Sequence, residues 1–272
     1  MSDHLIKPWT TSIAGVVFLC LPAYVYASQI DKIEEDSKAL EAKTRLEGDK
    51  ALVRWAHAKE LLGSRYSKSV VKEGETVSNL DEFLIQWTKR SLRGQWKTFA
   101  PAVANTIIEE SEKYKFDPIF VLAIIQSESS FNPVVVGTSG EVGLMQVTPK
   151  TAHWISNKYD LPWKGVKSLK DPCTNIKIGS AYLAHLREEF DGHSQLYLAA
   201  YNMGSGNVQK ALGRQIWPKD YPNRVMRRYF KYYVDLKEWS RKAIEESSNP
   251  SLLPLLEMLR GPSSVSRPFW SY

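Results

Sequence analysis

Between Leu80 and Trp239, apolar residues recur at spacings of three and four, and few segments alternate with period two. That pattern belongs to helices buried along one stripe, so it predicts a mainly α fold. Helices are expected over 80–92, 101–114, 118–129, 175–190, 194–202 and 220–239, with another opening at Pro149. Two starts are marked by a capping residue followed by proline, Asp117-Pro118 and Thr148-Pro149. The side chain before the helix satisfies an orphan N–H, and proline has no N–H to satisfy. Asp171-Pro172 reads as a turn. Gly137, Gly140 and Gly143 fall within seven residues and read as a loop or short β-hairpin.

The ends of the chain differ from this middle. Residues 13–26 form an apolar run that is short for a membrane span, which takes roughly 20 residues. With compact residues before Ala27, residues 1–27 read as a signal peptide cut after Ala27, the alternative being an uncleaved N-terminal anchor and membrane tether. Residues 28–79 read as a charged helical arm, mostly exposed over 29–62, followed by a linker over 63–79. Such an arm is a spacer or a place where an envelope protein complex docks. The catalytic domain is expected over 80–240. Residues 241–272 form a C-terminal extension in which Leu252, Leu253, Leu255 and Leu256 sit among prolines, read as an apolar strap.

Composition narrows the partners only slightly. The 272 residues carry 36 Lys and Arg against 30 Asp and Glu, a net charge of +6, which suits an anionic polymer or merely a solvated basic surface. No nucleic-acid partner is expected. Nine Trp and thirteen Tyr fit either an aromatic core or an aromatic groove. Cys20 and Cys173 are the two cysteines, and no zinc-like Cys/His spacing occurs, so no metal or organic cofactor is expected.

Chemistry concentrates in a few places. Val121, Ile124, Ile125 and Glu128 stand at i, i+3, i+4 and i+7, which puts a carboxyl on the apolar face of a helix near its C-terminus. Desolvation and the negative end of the helix dipole both favour the protonated form there. A carboxylic acid kept protonated is what glycosidic cleavage asks of a general acid. By spacing alone, a Glu curling into solvent at a helix end is the more common case. Gln146, after Gly143-Leu144-Met145, offers a donor and an acceptor to a sugar amide or hydroxyl, or belongs to an ordinary glycine-rich turn. Tyr201-Asn202 before Gly204 offers a stacking face and a polar contact, or a helix cap. Asn175 and Gly179 share a helix face with Tyr182 and read first as structural.

Taken together, Glu128-Ser129-Ser130-Phe131-Asn132-Pro133, Gly143-Leu144-Met145-Gln146, the Asn175–Leu183 segment and Ala200-Tyr201-Asn202-x-Gly204 resemble the SLT-type lytic transglycosylases, relatives of goose-type lysozyme. The resemblance covers about Phe116 to Gly206. It implies a lysozyme-like helical catalytic domain acting on peptidoglycan glycan strands outside the cytoplasm, in the periplasm or cell envelope. It implies that Glu128 is the sole catalytic acid, protonating the bond oxygen between N-acetylmuramic acid and N-acetylglucosamine. Glu128 would then serve as base while the muramoyl 6-hydroxyl closes a 1,6-anhydro ring. Met145, Gln146, Tyr201 and Asn202 map to positions lining the family's sugar groove. One position departs: many relatives carry serine nine residues after the Glu, where this chain has Gly137 beside Thr138 and Ser139. The alternatives are a goose-type hydrolase with the same fold and a catalytically weak glycan-binding module.

Overall fold

A computed structural model describes residues 14–71 and 80–247. Among these residues the fold is mainly α, as the spacing predicts. The helices are α1 (Ala14–Leu62), α2 (Leu80–Ser91), α3 (Ala100–Tyr114), α4 (Pro118–Glu128), α5 (Pro149–Tyr159), α6 (Pro172–Glu189), α7 (Ser194–Met203), α8 (Ser205–Gly213) and α9 (Asp220–Ser247). The apolar leucine-rich strap expected beyond Ser247 lies outside the described residues, as does part of the expected linker. No described helix is long and apolar enough to cross a membrane.

Capping residues fix the starts. The Asp117 carboxylate accepts from the N–H of Ile119, the Thr148 hydroxyl from Thr151, and the Asp171 carboxylate from Thr174. Asp171-Pro172 is therefore the cap and first residue of α6 rather than a free-standing turn. Helix α8 was not foreseen: Gly204 and Gly206 suggest only an end to α7, yet a left-handed Gly204 (φ 83°) lets the chain turn and start again at Ser205. The glycine-rich stretch makes two isolated antiparallel bridges, Val136–Val142 and Val142–Val147, a minimal hairpin.

The chain divides between Lys50 and Ala51 into two units. In the first, every side chain from Lys32 to Asp49 is exposed, including Ile33, Leu40 and Leu46, so this stretch of α1 has the polar, solvated character the sequence suggests. The last three turns of α1 are different. Ala51, Ala58, Leu61 and Leu62 are buried, and His57 is fully enclosed against the rings of Phe116 and Phe120. The compact unit thus begins near Ala51, ahead of the boundary at residue 80 that composition suggests. The charged residues there made the segment look solvent-facing, but they are partnered. The Asp117 N–H donates to His57 Nδ1 at 3.0 Å, Arg54 lies beside the Asp117 carboxylate, and the Arg187 guanidinium forks onto Glu60. Burial holds the His57 imidazole well below its ordinary value, so it is neutral, and its Nδ1 is the acceptor. The Tyr229 hydroxyl donates to the second Asp117 oxygen at 2.8 Å, joining α9 to the start of α4.

Helix α4 is the axis of the core. All residues from Ile119 to Ile125 are fully buried, so the helix is enclosed on every side rather than along one stripe. Helix α9 packs along it, and α3 meets α4 and α6. An enclosed apolar helix ending in Glu128 delivers a carboxyl to the edge of the core with little freedom to move.

Candidate active site

Glu128 is the last residue of α4. Its carboxyl is pushed up from an ordinary 4.5 to about 6, chiefly by desolvation. The nearby charge of Glu141 adds to the rise, while the Tyr221 hydroxyl, Arg224 and Arg228 oppose it. Glu128 Oε1 is buried, and the Tyr221 hydroxyl, also buried, faces the same carboxyl and favours its charged form. A desolvated carboxyl with a raised value at the edge of the core suits an acid whose proton is meant for an incoming oxygen.

The backbone leaving Glu128 is strained. Ser130 and Phe131 both adopt left-handed conformations, φ 49° and 62°. Such residues persist only where packing over-determines them, and the Phe131 ring, 1% exposed, supplies that anchor. The Ser129 hydroxyl turns back to the Ile125 carbonyl at 3.2 Å, and Asn132 Oδ1 accepts from Val134 N–H as the chain enters the hairpin. Beyond the reversal, Glu141 of the hairpin and Tyr221, Arg224 and Arg228 of α9 all act on the Glu128 carboxyl.

The hairpin is held by Asn175. Its Oδ1 accepts from the Met145 N–H at 2.7 Å, and its Nδ2 donates to the carbonyls of Val142 and Leu169 at 2.8 and 3.0 Å. The amide is fully used and fully buried, which agrees with reading it as structural. Gly143 is required beneath it: φ is +85°, and a Cβ would stand 2.3 Å from Asn175 Nδ2 and from the Leu169 carbonyl. Gly179 gives Met145 room in the same way, since a Cβ there would meet its Sδ at 2.6 Å.

The four residues expected to line a sugar groove divide by exposure. Met145 is completely buried against Gly179, and Tyr201 is 9% exposed with its hydroxyl donating to the Met145 carbonyl at 2.8 Å. Gln146 is half-buried, and its amide N–H groups donate to the carbonyls of Gly143 and Val135. These three side chains shape the wall from within, and Asn202 alone is exposed. Their pattern in the sequence does not distinguish a side chain that faces outward from one that packs inward. The Tyr201 ring lies 5.4 Å from that of Tyr182, which meets the exposed Trp154 edge-on.

Gly137, where many SLT relatives carry serine, sits under two side chains. A Cβ at this position would stand 2.5 Å from Glu141 Oε2 and 2.8 Å from Gln146 Oε1. In this chain, then, the space is taken by Glu141 and Gln146. The Glu141 carboxylate is half-buried and accepts from the Ser139 N–H at 2.9 Å, so it is more enclosed than an exposed loop residue.

Sequence reasoning missed Tyr221, Arg224 and Arg228. They stand at i, i+3 and i+7 on α9, a spacing that puts all three on one face, toward Glu128. Arg228 donates to the Ser127 hydroxyl at 3.0 Å and clamps α9 to the last turn of α4. The Arg224 guanidinium lies 5.0 Å over the Tyr221 ring. The spacing was available in the sequence, but nothing there said that this helix would lie along α4.

Comparison with known proteins agrees with this geometry. Residues 105–223 match the family model for the transglycosylase SLT domain. A 95-residue segment is 38% identical to the soluble lytic murein transglycosylase of Salmonella typhimurium, covering 35% of this chain and 15% of that protein. A 159-residue segment is 32% identical to the membrane-bound lytic murein transglycosylase C of Haemophilus influenzae, covering 48% of this chain and 44% of that protein. The chain thus spans less than half the length of either relative. The crystal structure of the 70 kDa soluble lytic transglycosylase of Escherichia coli aligns with a TM-score of 0.44 and 26% identity, over 60% of this chain and 31% of that one. The matched segment, residues 105–223, holds Glu128, the hairpin, Asn175 and Tyr201, and over it the chain is similar to the transglycosylase SLT domain.

Proposed function

We propose that this chain is a peptidoglycan lytic transglycosylase acting in the cell envelope, with Glu128 as both acid and base. The observation that carries the reading is the Glu128 carboxyl, enclosed at the end of α4 beside Tyr221 and Glu141 and raised to about 6. Near neutral pH a usable fraction of such a group is protonated, and its conjugate base is still strong enough to take a proton back. Glu128 gives its proton to the oxygen between N-acetylmuramic acid and N-acetylglucosamine. Tyr221, Arg224 and Arg228 then face a carboxylate and stabilise it. In the second half-reaction the carboxylate removes the proton of the muramoyl 6-hydroxyl, which attacks the anomeric carbon and closes the 1,6-anhydro ring. No water enters, and Glu128 ends protonated.

Hydrolysis is the second reading, and Glu141 is the observation that bears on it. Two-carboxylate glycosidases need the second group free to act on water or on the sugar. Glu141 is near enough to raise Glu128, but its Oε2 is engaged by the Ser139 N–H. That favours a role in shaping the loop. The wall of Met145, Gln146 and Tyr201, with Asn202 at its rim, is the proposed sugar-binding side of the groove. The experiment is release of muropeptides from purified sacculi by wild type and Glu128→Gln. Wild type should release them and the variant should release less than a few per cent as much. A variant that keeps a substantial rate places the acid elsewhere.

A further inference from the structure

The described cations of α9 near the site are not equivalent. Arg228 is half-buried and committed to Ser127. Arg224 is exposed, and among the described residues no carboxylate lies within ion-pair distance of it. It is nevertheless held in place, with its guanidinium 5.0 Å over the ring of Tyr221, a residue only 4% exposed whose hydroxyl faces Glu128. A planar guanidinium stacked on an aromatic face loses less freedom when it binds than one on a free side chain, and its fork matches a carboxylate. It also lies one residue beyond the segment matching the SLT family model, which ends at Asn223. Its charge acts on Glu128 without an ion pair, which leaves the guanidinium fork open to an anion on the substrate. The sugars of a glycan strand are neutral at every ring hydroxyl and acetamide. Their negative charge is carried by carboxylates on the peptide stem attached to N-acetylmuramic acid.

We propose that Arg224 is a specificity-determining residue that binds a free carboxylate of the peptide stem, so that the enzyme selects strands bearing charged stems. The proposal rests on the lytic transglycosylase reading above. Recognition beside the scissile bond would also explain why the cation is stacked on Tyr221 rather than extended into solvent: stem and bond are then read by one rigid face of α9. A charge-assisted contact at an exposed guanidinium is worth about twofold to fivefold in selectivity, because solvent and salt screen it.

The test uses two sets of purified glycan strands that differ only in the stem, one with free carboxylates and one with the same groups as carboxamides. The measured quantity is the ratio of kcat/KM between the two sets, for wild type, Arg224→Gln and Arg224→Lys. Arg224 also acts on Glu128, so absolute rates fall in the variants, but that effect is common to both substrates and cancels in the ratio. Because Arg224 is exposed, wild type should prefer the carboxylate strands by about twofold to fivefold. Arg224→Gln should bring the ratio to about one, and Arg224→Lys should keep part of it, because the charge remains and the fork is lost. A wild-type ratio near one overturns the proposal while leaving the transglycosylase reading intact. So does a ratio that survives in Arg224→Gln. If wild type yields no anhydro product from either set, both readings fall together.

Discussion

Replacing Glu128 by Gln should abolish activity and make the protein more stable. In the folded state the carboxyl titrates at about 6, against an ordinary 4.5, and desolvation is the main cause. At about 1.4 kcal/mol per pH unit, the charged form costs the fold about 2 kcal/mol. The sign follows from linkage. A carboxyl with a raised folded value binds its proton more tightly in the native state, so stability is lost as pH rises from about 4.5 through about 6. Above that range the full cost is present; below it the cost vanishes. Gln keeps the shape of Glu but never carries the charge. For a unit of this size, about 2 kcal/mol corresponds to a rise in Tm of roughly 4–8 °C. Melting wild type and Glu128→Gln at about pH 7.5 and about pH 4 measures this directly. The variant should melt higher at the first pH and level with wild type at the second. A lower Tm at the higher pH, or an equal gain at both, would refute desolvation as the cause of the raised value.

Other outcomes follow from neighbouring contacts. The alkaline limb of kcat/KM should have its midpoint near 6, and Tyr221→Phe should move it upward, because the phenol favours the carboxylate; a pH profile of each enzyme checks the direction. Glu141→Gln should move the same limb downward by removing a like charge and should keep the rate within a few-fold, whereas a loss of about a hundredfold would favour the hydrolase. Gly179→Ala should cost about 1–3 kcal/mol in denaturant unfolding, because Met145 Cβ lies 2.7 Å from the added methyl and is pinned through its backbone by Asn175. A chain starting at Ala51 should melt like the whole, while one starting at Leu80 should be markedly less stable, having lost His57, Leu61, Leu62 and the Glu60–Arg187 pair.

What the sequence revealed depended on how local the signal was. Asp117-Pro118 and Thr148-Pro149 announce their helices because a cap acts on residues two or three away. Asn175 could be read as structural, since a buried amide beside a small residue on one helix face has few other uses. The burial of residues 51–62 was hidden, because Arg54, His57 and Glu60 find their partners on Asp117, Tyr197 and Arg187, far along the chain. The same is true at the site. Glu128 was legible from its own helix, while Tyr221, Arg224 and Arg228 depend on α9 lying along α4. Met145 and Tyr201 are expected from the sequence to line a groove, but only the fold shows that both are buried and joined by the Tyr201 hydroxyl on the Met145 carbonyl.

The central claim is that Glu128 serves both half-reactions and that a substrate hydroxyl takes the place of water. Digesting purified sacculi in water enriched in heavy oxygen and weighing the products tests it most directly. Closure by the muramoyl 6-hydroxyl predicts 1,6-anhydro ends, one water lighter than reducing ends, with no heavy oxygen incorporated. Reducing ends of full mass carrying heavy oxygen at the anomeric carbon would contradict it and identify a hydrolase.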